Sequence, residues 1–424
     1  MSAHSPRVAV VGGGIAGLCA AYYLARGGAS VTVLESNRTG SAASAGNAGW
    51  VCPAQSGPLP APGVLGESLR SLGAPDSALY FAPAYVPRMI PWLLRFAWRC
   101  NRRHYRRGAE ALAGLGRRSF ELLDGLAAEG VEFQLQRGGV LAVAERGSAI
   151  TTLLEALALL RSLGHGVPER ALDGAAARQL EPAISERVTA GAMIEEHWHV
   201  EPTSLTKGLT ARLRAMDVRV EEGAEVVDLV GRDGQVRLVR TAAGDVEPDA
   251  VVLAAGSWTP RLARMLGMRL PLQPGKGYSF EVRPTVMPRR ALMLIEPHVA
   301  CSPFGDRLRV AGTMEFSGIN ARLDDRRIES IERGAGRLVN GWGPSDVRAR
   351  WAGLRPIAPD GLPIVGRPRG YRNVYLATGY SMLGMTVAAP AGESLAAMIL
   401  SDGTAADLAP FAPGRFAVGK GWWR

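Results

Sequence analysis

Only four cysteines occur in 424 residues, and Cys19, Cys52, Cys100 and Cys301 are far apart. No C-x-x-C pair or zinc-ligand spacing exists, so a structural zinc site is excluded and a reduced, cytoplasmic setting is expected. Lysine is scarcer still, with only Lys207, Lys276 and Lys420, so the net charge of +10 rests almost wholly on arginine. A basic balance of this kind is weak grounds for a nucleic-acid partner, and none is expected. No apolar run reaches the length of a membrane span. Met1 to Pro6 is too short and polar for a signal peptide. Internal repeats and low-complexity linkers are also lacking. An apolar fraction of 47% in a chain this long leaves an ordered protein with room for two domains or one elaborate one.

The first informative segment is Arg7-Val8-Ala9-Val10-Val11, which runs into Gly12-Gly13-Gly14-Ile15-Ala16-Gly17 and then an apolar stretch at helical spacing. Gly12, Gly14 and Gly17 suit a tight turn, backbone approach to a pyrophosphate and close packing of helix on strand. The phosphates would lie at the helix N-terminus, against the backbone of Ile15 and Ala16, where unpaired N–H groups and the helix dipole favour an anion. A second strand, Ser30 to Leu34, ends at Glu35 and Ser36, and a carboxylate there can accept two hydrogen bonds from a ribose diol. This acid favours NAD or FAD over NADP. No second glycine fingerprint follows, which argues against a pyridine-nucleotide monooxygenase or disulfide reductase.

Further along, the loop Thr39 to Gly49 is rich in small residues and lets a flat ligand lie against its backbone. Ser56 to Gly66 reads as a crossover loop. Leu79 to Leu126 has a helical pattern, Phe133 to Val143 alternates like a strand, and Ile150 to Leu163 and Pro202 to Ala215 read as helices. Val218 to Val230 reads as two strands paired through a turn at Gly223. After Asp249, Ala250 to Ala255 is a continuous apolar run ending at Gly256, as expected of a parallel strand covered on both faces. Strand-like stretches follow from Leu292 to Met314, then a helix from Asp325 to Val339. A last strand, Asn373 to Ala377, leads through Thr378-Gly379-Tyr380 into a helix from Gly384 to Leu400.

The expected fold class is therefore α/β, with a Rossmann-type dinucleotide-binding domain interleaved with an α+β substrate-binding domain. Residues 1–50, 195–262 and 348–424 are assigned to the first, and 51–194 and 263–347 to the second.

These segments together resemble the D-amino acid oxidase superfamily of flavoproteins, which includes glycine oxidase, sarcosine oxidase and bacterial D-amino acid dehydrogenase. The likeness is greatest to the dehydrogenase branch and to D-hydroxyproline dehydrogenases. It rests on Ser44-Ala45-Gly46-Asn47-Ala48-Gly49-Trp50, Pro53 to Gly63, Pro274-Gly275-Lys276-Gly277-Tyr278-Ser279 and Gly353 to Gly366, followed by Thr378-Gly379 and Leu383-Gly384. The resemblance implies FAD, held noncovalently because no cysteine lies near Leu354 and Arg355. It implies transfer of a hydride from Cα of a D-amino acid or cyclic secondary amino acid to flavin N5, giving an imine or 2-oxo acid.

By the same resemblance, Arg355 binds the substrate carboxylate, a task suited to a bidentate guanidinium. Tyr278 adds a hydrogen bond to substrate or is a packed aromatic. Tyr380 stands where the dehydrogenases often have histidine. Ser44, Asn47, Ala48 and Gly49 line the flavin, Val226 lies on the strand that meets adenine, and Ala255, Gly256 and Gly379 flank the cofactor. The helix start at Leu383, Gly384, Met385 and Thr386 would face the flavin pyrimidine ring and stabilise negative charge there.

Three rivals to a dehydrogenase remain at this stage. They are a peroxide-forming oxidase of the same family, a biosynthetic amine oxidation on a larger metabolite, and a noncatalytic flavoprotein subunit. The electron acceptor is a quinone of the respiratory chain or oxygen.

Two other motifs admit more than one reading. His197-Trp198-His199 places two histidines on one face of a strand, as metal ligands, cavity lining or packed side chains. Met89 to Trp98, followed by Arg99, Arg102, Arg103, Arg106 and Arg107, has the composition of a helix lying on the inner face of the cell membrane. The competing reading is a helix packed on the substrate domain with its arginines in water.

Overall fold

The computed structural model describes residues 5–66 and 77–416. Among the described residues, the central layer is a six-stranded sheet in the order Arg219–Glu222, Ser30–Glu35, Arg7–Val11, Ala250–Leu253, Val374–Thr378, Ile364–Gly366. All neighbours are parallel except the last pair. The inner strands are apolar at nearly every position because helices cover one face and a second apolar layer the other.

Helix Ile15–Arg26 packs against helix Gly384–Leu400, and both start at the same edge of this sheet. Their close approach depends on Gly392, where a Cβ would lie 3.0 Å from the backbone of Cys19 and Ala20. Helices that start at Ile15 and Gly384, far apart in the chain, thereby aim two N-termini at one place.

The second large sheet has nine strands, with Arg348–Ile357 at one edge, then Gln273–Val282, Arg307–Phe316, Val299–Phe304, Ala291–Leu294, Val140–Ala144, Ala190–Ile194 and Leu172–Asp173. Leu79–Phe81 is the ninth, parallel to Met314–Phe316. Helix Asp325–Leu338 covers one face, burying Ile328, Ile331, Ala335 and Leu338 against Phe280, Val310 and Val299.

Several expectations are corrected. The stretch from Leu79 to Leu126 is a short strand and three helices, Val86–Arg99, Arg102–Gly116 and Ser119–Ala128. Asn101 interrupts the first pair by capping the next helix, its side chain accepting from the His104 N–H at 3.1 Å. The expected strand from Phe133 to Val143 is split at the glycines 138 and 139 into Leu135–Gln136 and Val140–Ala144. The strands on either side of Gly223 do not pair with each other. Arg219–Glu222 joins the parallel sheet beside Ser30–Glu35, whereas Val226–Arg232 pairs with Gln235–Thr241 in a separate three-stranded sheet. A turn residue at φ +76° redirects the chain but does not select the partner strand.

Two segments cross the assigned domain limits. Strand Arg348–Ile357, placed with the nucleotide domain, is the edge of the second sheet. Helices Arg102–Gly116 and Ser119–Ala128, placed with the substrate domain, bury Leu112, Leu115, Leu122, Leu123 and Leu126 in the core around helix Ile15–Arg26.

Candidate active site

Between the two sheets lies a cavity of about 1970 Å³. At one end the glycine turn opens into it. Gly12 has φ +113°, and a Cβ there would lie 2.6 Å from the Ala254 carbonyl oxygen. A Cβ on Gly17 would fall on the Gly12 carbonyl, so this glycine packs the helix onto the turn and does not line the cavity. Gly14, Ile15 and Ala16 do line it. The Ser44 hydroxyl accepts the Ile15 N–H at 3.0 Å, fixing the small-residue loop over the helix start.

Glu35 accepts from the Gly13 and Asn37 N–H groups, each at 2.8 Å, and from the Ser36 hydroxyl at 3.1 Å. A carboxylate has about four acceptor directions, so Glu35 keeps capacity for a ribose hydroxyl. Ser36, Val226, Ala255 and Gly256 continue this wall.

The loop 45–48 is gripped from the second sheet. Ser279 Oγ donates to the Gly46 carbonyl at 2.7 Å, and Ser302 Oγ donates to that of Ala48 at 2.7 Å. Arg309 donates to the carbonyls of Ala45 and Asn47 at 3.0 and 3.2 Å. Its guanidinium is itself held by Glu281 at 2.8 Å and Glu201 at 3.4 Å, in a nearly buried ionic cluster. The Asn47 side chain turns back within the loop, accepting from the Gly49 N–H at 2.7 Å. Asn47, Ala48 and Gly49 thus face the cavity on a backbone fixed from behind. Sequence reading missed Ser302 and Arg309, which lie about 250 residues away in the chain and carry no local motif.

At the other end, Leu383, Gly384 and Met385 present the second helix N-terminus to the cavity. Thr386 does not reach it. Its hydroxyl accepts from the Cys52 N–H at 3.1 Å and donates to the Trp50 carbonyl at 3.3 Å, tying the helix start to the neighbouring chain. Gly379 also lies off the cavity and supplies a turn at φ +76°. Tyr380 lines the cavity and is nearly buried, and burial pushes its phenol far above the usual range.

Arg355 is built into the cavity wall, and its open surface faces the cavity. Between Gln273 and Ser279 the central strand has only Gly275 and Gly277 on this face, and a Cβ at Gly277 would fall on the Arg355 guanidinium. The guanidinium therefore crosses the strand, and Nη1 donates to the Thr313 carbonyl at 2.8 Å. No carboxylate partners Arg355 among the described residues, and burial lowers its pKa to about 10, which leaves it charged at neutral pH. Thr313 is held at φ +62°, an unfavourable conformation for a β-branched residue, and its hydroxyl is buried without a hydrogen bond.

Tyr278 borders the same cavity but is not brought onto the sheet face that carries Arg355. Alternation along strand Gln273–Val282 sends it to the opposite face, where it packs with Ile328 and Ile331 and donates to Glu315 at 2.6 Å. Glu315 also pairs with Lys276 at 2.9 Å. The hydroxyl expected to reach substrate is thus committed beneath the helix layer, which supports the packed-aromatic reading.

His197 and His199 take neither a metal-binding nor a cavity-lining position. His197 packs edge-on against Trp50, with ring centres 4.9 Å apart, and His199 packs near Phe304. No cluster of metal-ligating side chains exists among the described residues.

Two helix N-termini opening onto one cavity, with an acid at the end of the second parallel strand, have the form of a dinucleotide-binding protein. The FAD dependent oxidoreductase family model, DAO, matches residues 7–398, and the chain belongs to that family. It is 33% identical to a D-amino acid dehydrogenase of Rhizorhabdus wittichii, over 93% of this chain and 96% of that one. It is 35% identical to another from Methylobacterium nodulans, over 93% and 95%. Glycine oxidase from Bacillus cereus superposes with a TM-score of 0.74 at 22% identity, covering 95% of this chain and 96% of that one. L-proline dehydrogenase from P. horikoshii gives 0.74 at 19%, covering 97% and 98%. The cofactor is FAD, and the cradle fits it: Gly12 leaves no room for a Cβ, and both helix N-termini are open to the cavity.

Proposed function

We propose that the protein oxidises the Cα–N bond of a D-amino acid or cyclic secondary amino acid. The carrying observation is Arg355, a charged guanidinium in the cavity wall without a carboxylate partner among the described residues. A substrate carboxylate would complete it with paired charge-assisted hydrogen bonds, leaving the Cα–N bond to be directed toward the cofactor. The curated relatives named D-amino acid dehydrogenase support this substrate class.

FAD, when bound, supplies the acceptor for the two electrons and the Cα hydrogen. Gly14, Ile15 and Ala16 would hold its pyrophosphate, Glu35 its ribose, and Val226 the adenine edge. The N-terminus of helix Gly384–Leu400 would stabilise negative charge on the reduced ring. The cofactor is held noncovalently in this reading. Cys52 is the cysteine that lines the cavity, and burial keeps its thiol protonated, with its pKa pushed up to about 11. Denaturation should therefore release all the flavin.

The acceptor we favour is a membrane quinone. Helix Val86–Arg99 packs Met89 and Trp92 inward but leaves Ile90, Leu94 and Trp98 on one exposed stripe, with Leu94 and Trp98 about two-thirds exposed. The exposed Arg102, Arg103, Arg106 and Arg107 follow directly. An apolar stripe beside cations suits the surface of an anionic bilayer. No helix among the described residues is long and apolar enough to cross one.

The test is anaerobic bleaching of the flavin band by D-, L- and N-alkyl amino acids, followed by air. Bleaching that persists in air supports a dehydrogenase. Rapid recolouring with peroxide identifies an oxidase, and the absence of bleaching by every amino acid rejects the proposal.

A further inference from the structure

The face of the second sheet that carries Arg355 also shows what lies next to a bound carboxylate. Three adjacent strands contribute to it: Arg348–Ile357, Gln273–Val282 and Arg307–Phe316. The central strand gives this face Gly275 and Gly277, so its floor is backbone. Arg355 lies across Gly277. Two residues on, Ile357 from one side and Met314 from the other meet above Gly275, each where a Cβ of that glycine would stand. The glycines thus form a trough whose first occupant is a cation and whose next walls are aliphatic.

Beyond Met314 the wall becomes aromatic. Phe316, two residues along the same strand, stacks on Phe81 with ring centres 5.1 Å apart and lies 5.7 Å from Trp92. Trp92 stacks on Phe96 at 5.1 Å, and its indole N–H is already committed to the Ile357 carbonyl at 3.2 Å. These rings pack as one cluster with Met314 and Ile357, yet all of them also line the cavity. None of these side chains bears a charge, and the one hydrogen-bond donor among them is spent within the protein.

We infer that the amino acid oxidised here has a large, uncharged, apolar side chain, with aromatic residues such as phenylalanine preferred over alanine and over acidic or basic amino acids. The inference rests on the proposed function, in which Arg355 fixes the carboxylate. A side chain leaving Cα along the trough meets Met314 and Ile357 first and the Phe316–Trp92–Phe96 rings next. Trp92, Phe316 and Ile357 are nearly buried and back the wall. A side chain filling that space therefore covers the half-buried Met314, Phe81 and Phe96, removing their apolar surface from water and stacking on the two rings. A charged side chain would lose hydration there and find no counter-ion on these walls. Alanine would leave the aromatic end unfilled.

The experiment is stopped-flow anaerobic reduction of the FAD-loaded enzyme by phenylalanine, leucine, alanine, aspartate and lysine, each as both enantiomers. For whichever enantiomer reduces the flavin, we expect the second-order rate constant for phenylalanine to exceed that for alanine by about 30-fold, with aspartate and lysine slower than alanine. Phe96→Ala should lower the phenylalanine-to-alanine ratio at least about fivefold. Phe96 is half-buried, and a ratio taken within one preparation is insensitive to how much of the variant folds. A wild-type ratio near or below one, with amino acids still bleaching the flavin, overturns this inference and leaves the proposed reaction standing. An unchanged ratio in Phe96→Ala also overturns it. Failure of every amino acid to bleach the wild type rejects the reaction and the inference together.

Discussion

Arg355 carries more of the functional argument than any other residue, and its environment makes its removal informative. The side chain needs Gly277 beneath it and the Thr313 carbonyl beyond it. Arg355→Ala should weaken amino-acid binding by about 2–5 kcal/mol, the range for truncating one member of a buried charge pair, while FAD remains bound. Isothermal titration with a non-reacting carboxylate analogue and the flavin absorbance of the same sample check both halves. Wild-type affinity would remove Arg355 from the site.

Tyr278→Phe makes the opposite prediction. Its hydroxyl serves Glu315 on the far face, so the change should cost about 1 kcal/mol of stability and leave substrate affinity within twofold. Titration of substrate into the variant and urea unfolding separate the two effects.

The paired histidines give a pH signature at the same scale. Burial lowers the pKa of His197 to about 3, with His199 a smaller cause. Burial also lowers that of His199 to about 4, which the nearby Pro303 carbonyl only partly offsets. Their folded pKa values lie below the unfolded value near 6.5, so the unfolded chain takes up protons that the native state refuses. Stability is intact above pH 6.5 and falls as pH drops toward 4, with a limiting slope of about 2–3 kcal/mol per pH unit for two such groups. Urea midpoints at pH 7.5, 5.5 and 4.5 measure it. His197→Phe should flatten the slope by about half, and midpoints independent of pH in the wild type would contradict the assignment.

Among the elements, the loop 45–48 and the helix Val86–Arg99 show how a segment's role depends on what lies behind it. The loop has too few large side chains to hold a shape of its own. Its carbonyls are gripped by Ser279, Ser302 and Arg309 on the second sheet. Arg309→Ala would leave the buried Glu201 without its cation and Glu281 with Arg307 alone, a loss of about 3–5 kcal/mol when one partner of such a cluster is removed. The expected outcome is at least a tenfold weaker FAD affinity, read by flavin fluorescence on dilution, with partial recovery in Arg309→Lys.

Helix Val86–Arg99 divides the same way into a packed face and an exposed one. Its composition alone left the membrane-surface and packed readings open, because both use a stripe of apolar side chains. The fold assigns Met89 and Trp92 to packing and Leu94 and Trp98 to the exposed stripe. If that stripe meets lipid, Leu94→Asp with Trp98→Asp should abolish sedimentation with anionic vesicles and leave flavin reduction by substrate unchanged.

Across the whole molecule, much of the nucleotide-binding half was legible in the sequence and little of the substrate half was. The strand, glycine turn, helix and terminal acid of residues 7–35 are local features, fixed by backbone sterics and helix-end chemistry within thirty residues. The apolar strand at 250–253 announced its covered, parallel position by composition, as did the helix beginning at Gly384. The partners of Arg219–Glu222 and Val226–Arg232 were not legible, since a turn sets direction while pairing is decided by distant strands. Nor was the face to which Tyr278 points, because a single-residue shift of phase along a strand exchanges the cavity for the core.

The sequence by itself determined the chemistry on offer: a glycine turn that admits a dinucleotide, an acid at the right strand end, and an arginine suited to a carboxylate. The first two follow from residue type and short-range spacing, and the third from the resemblance of Gly353 to Gly366 to the flavoprotein family. Only the tertiary structure decided which groups meet. Gly277 lets Arg355 cross a strand, Arg309 reaches a loop 264 residues earlier in the chain, and aromatic rings from a helix and two strands lie near Arg355. Those juxtapositions depend on sheet register and inter-element packing, which no local stretch of sequence encodes.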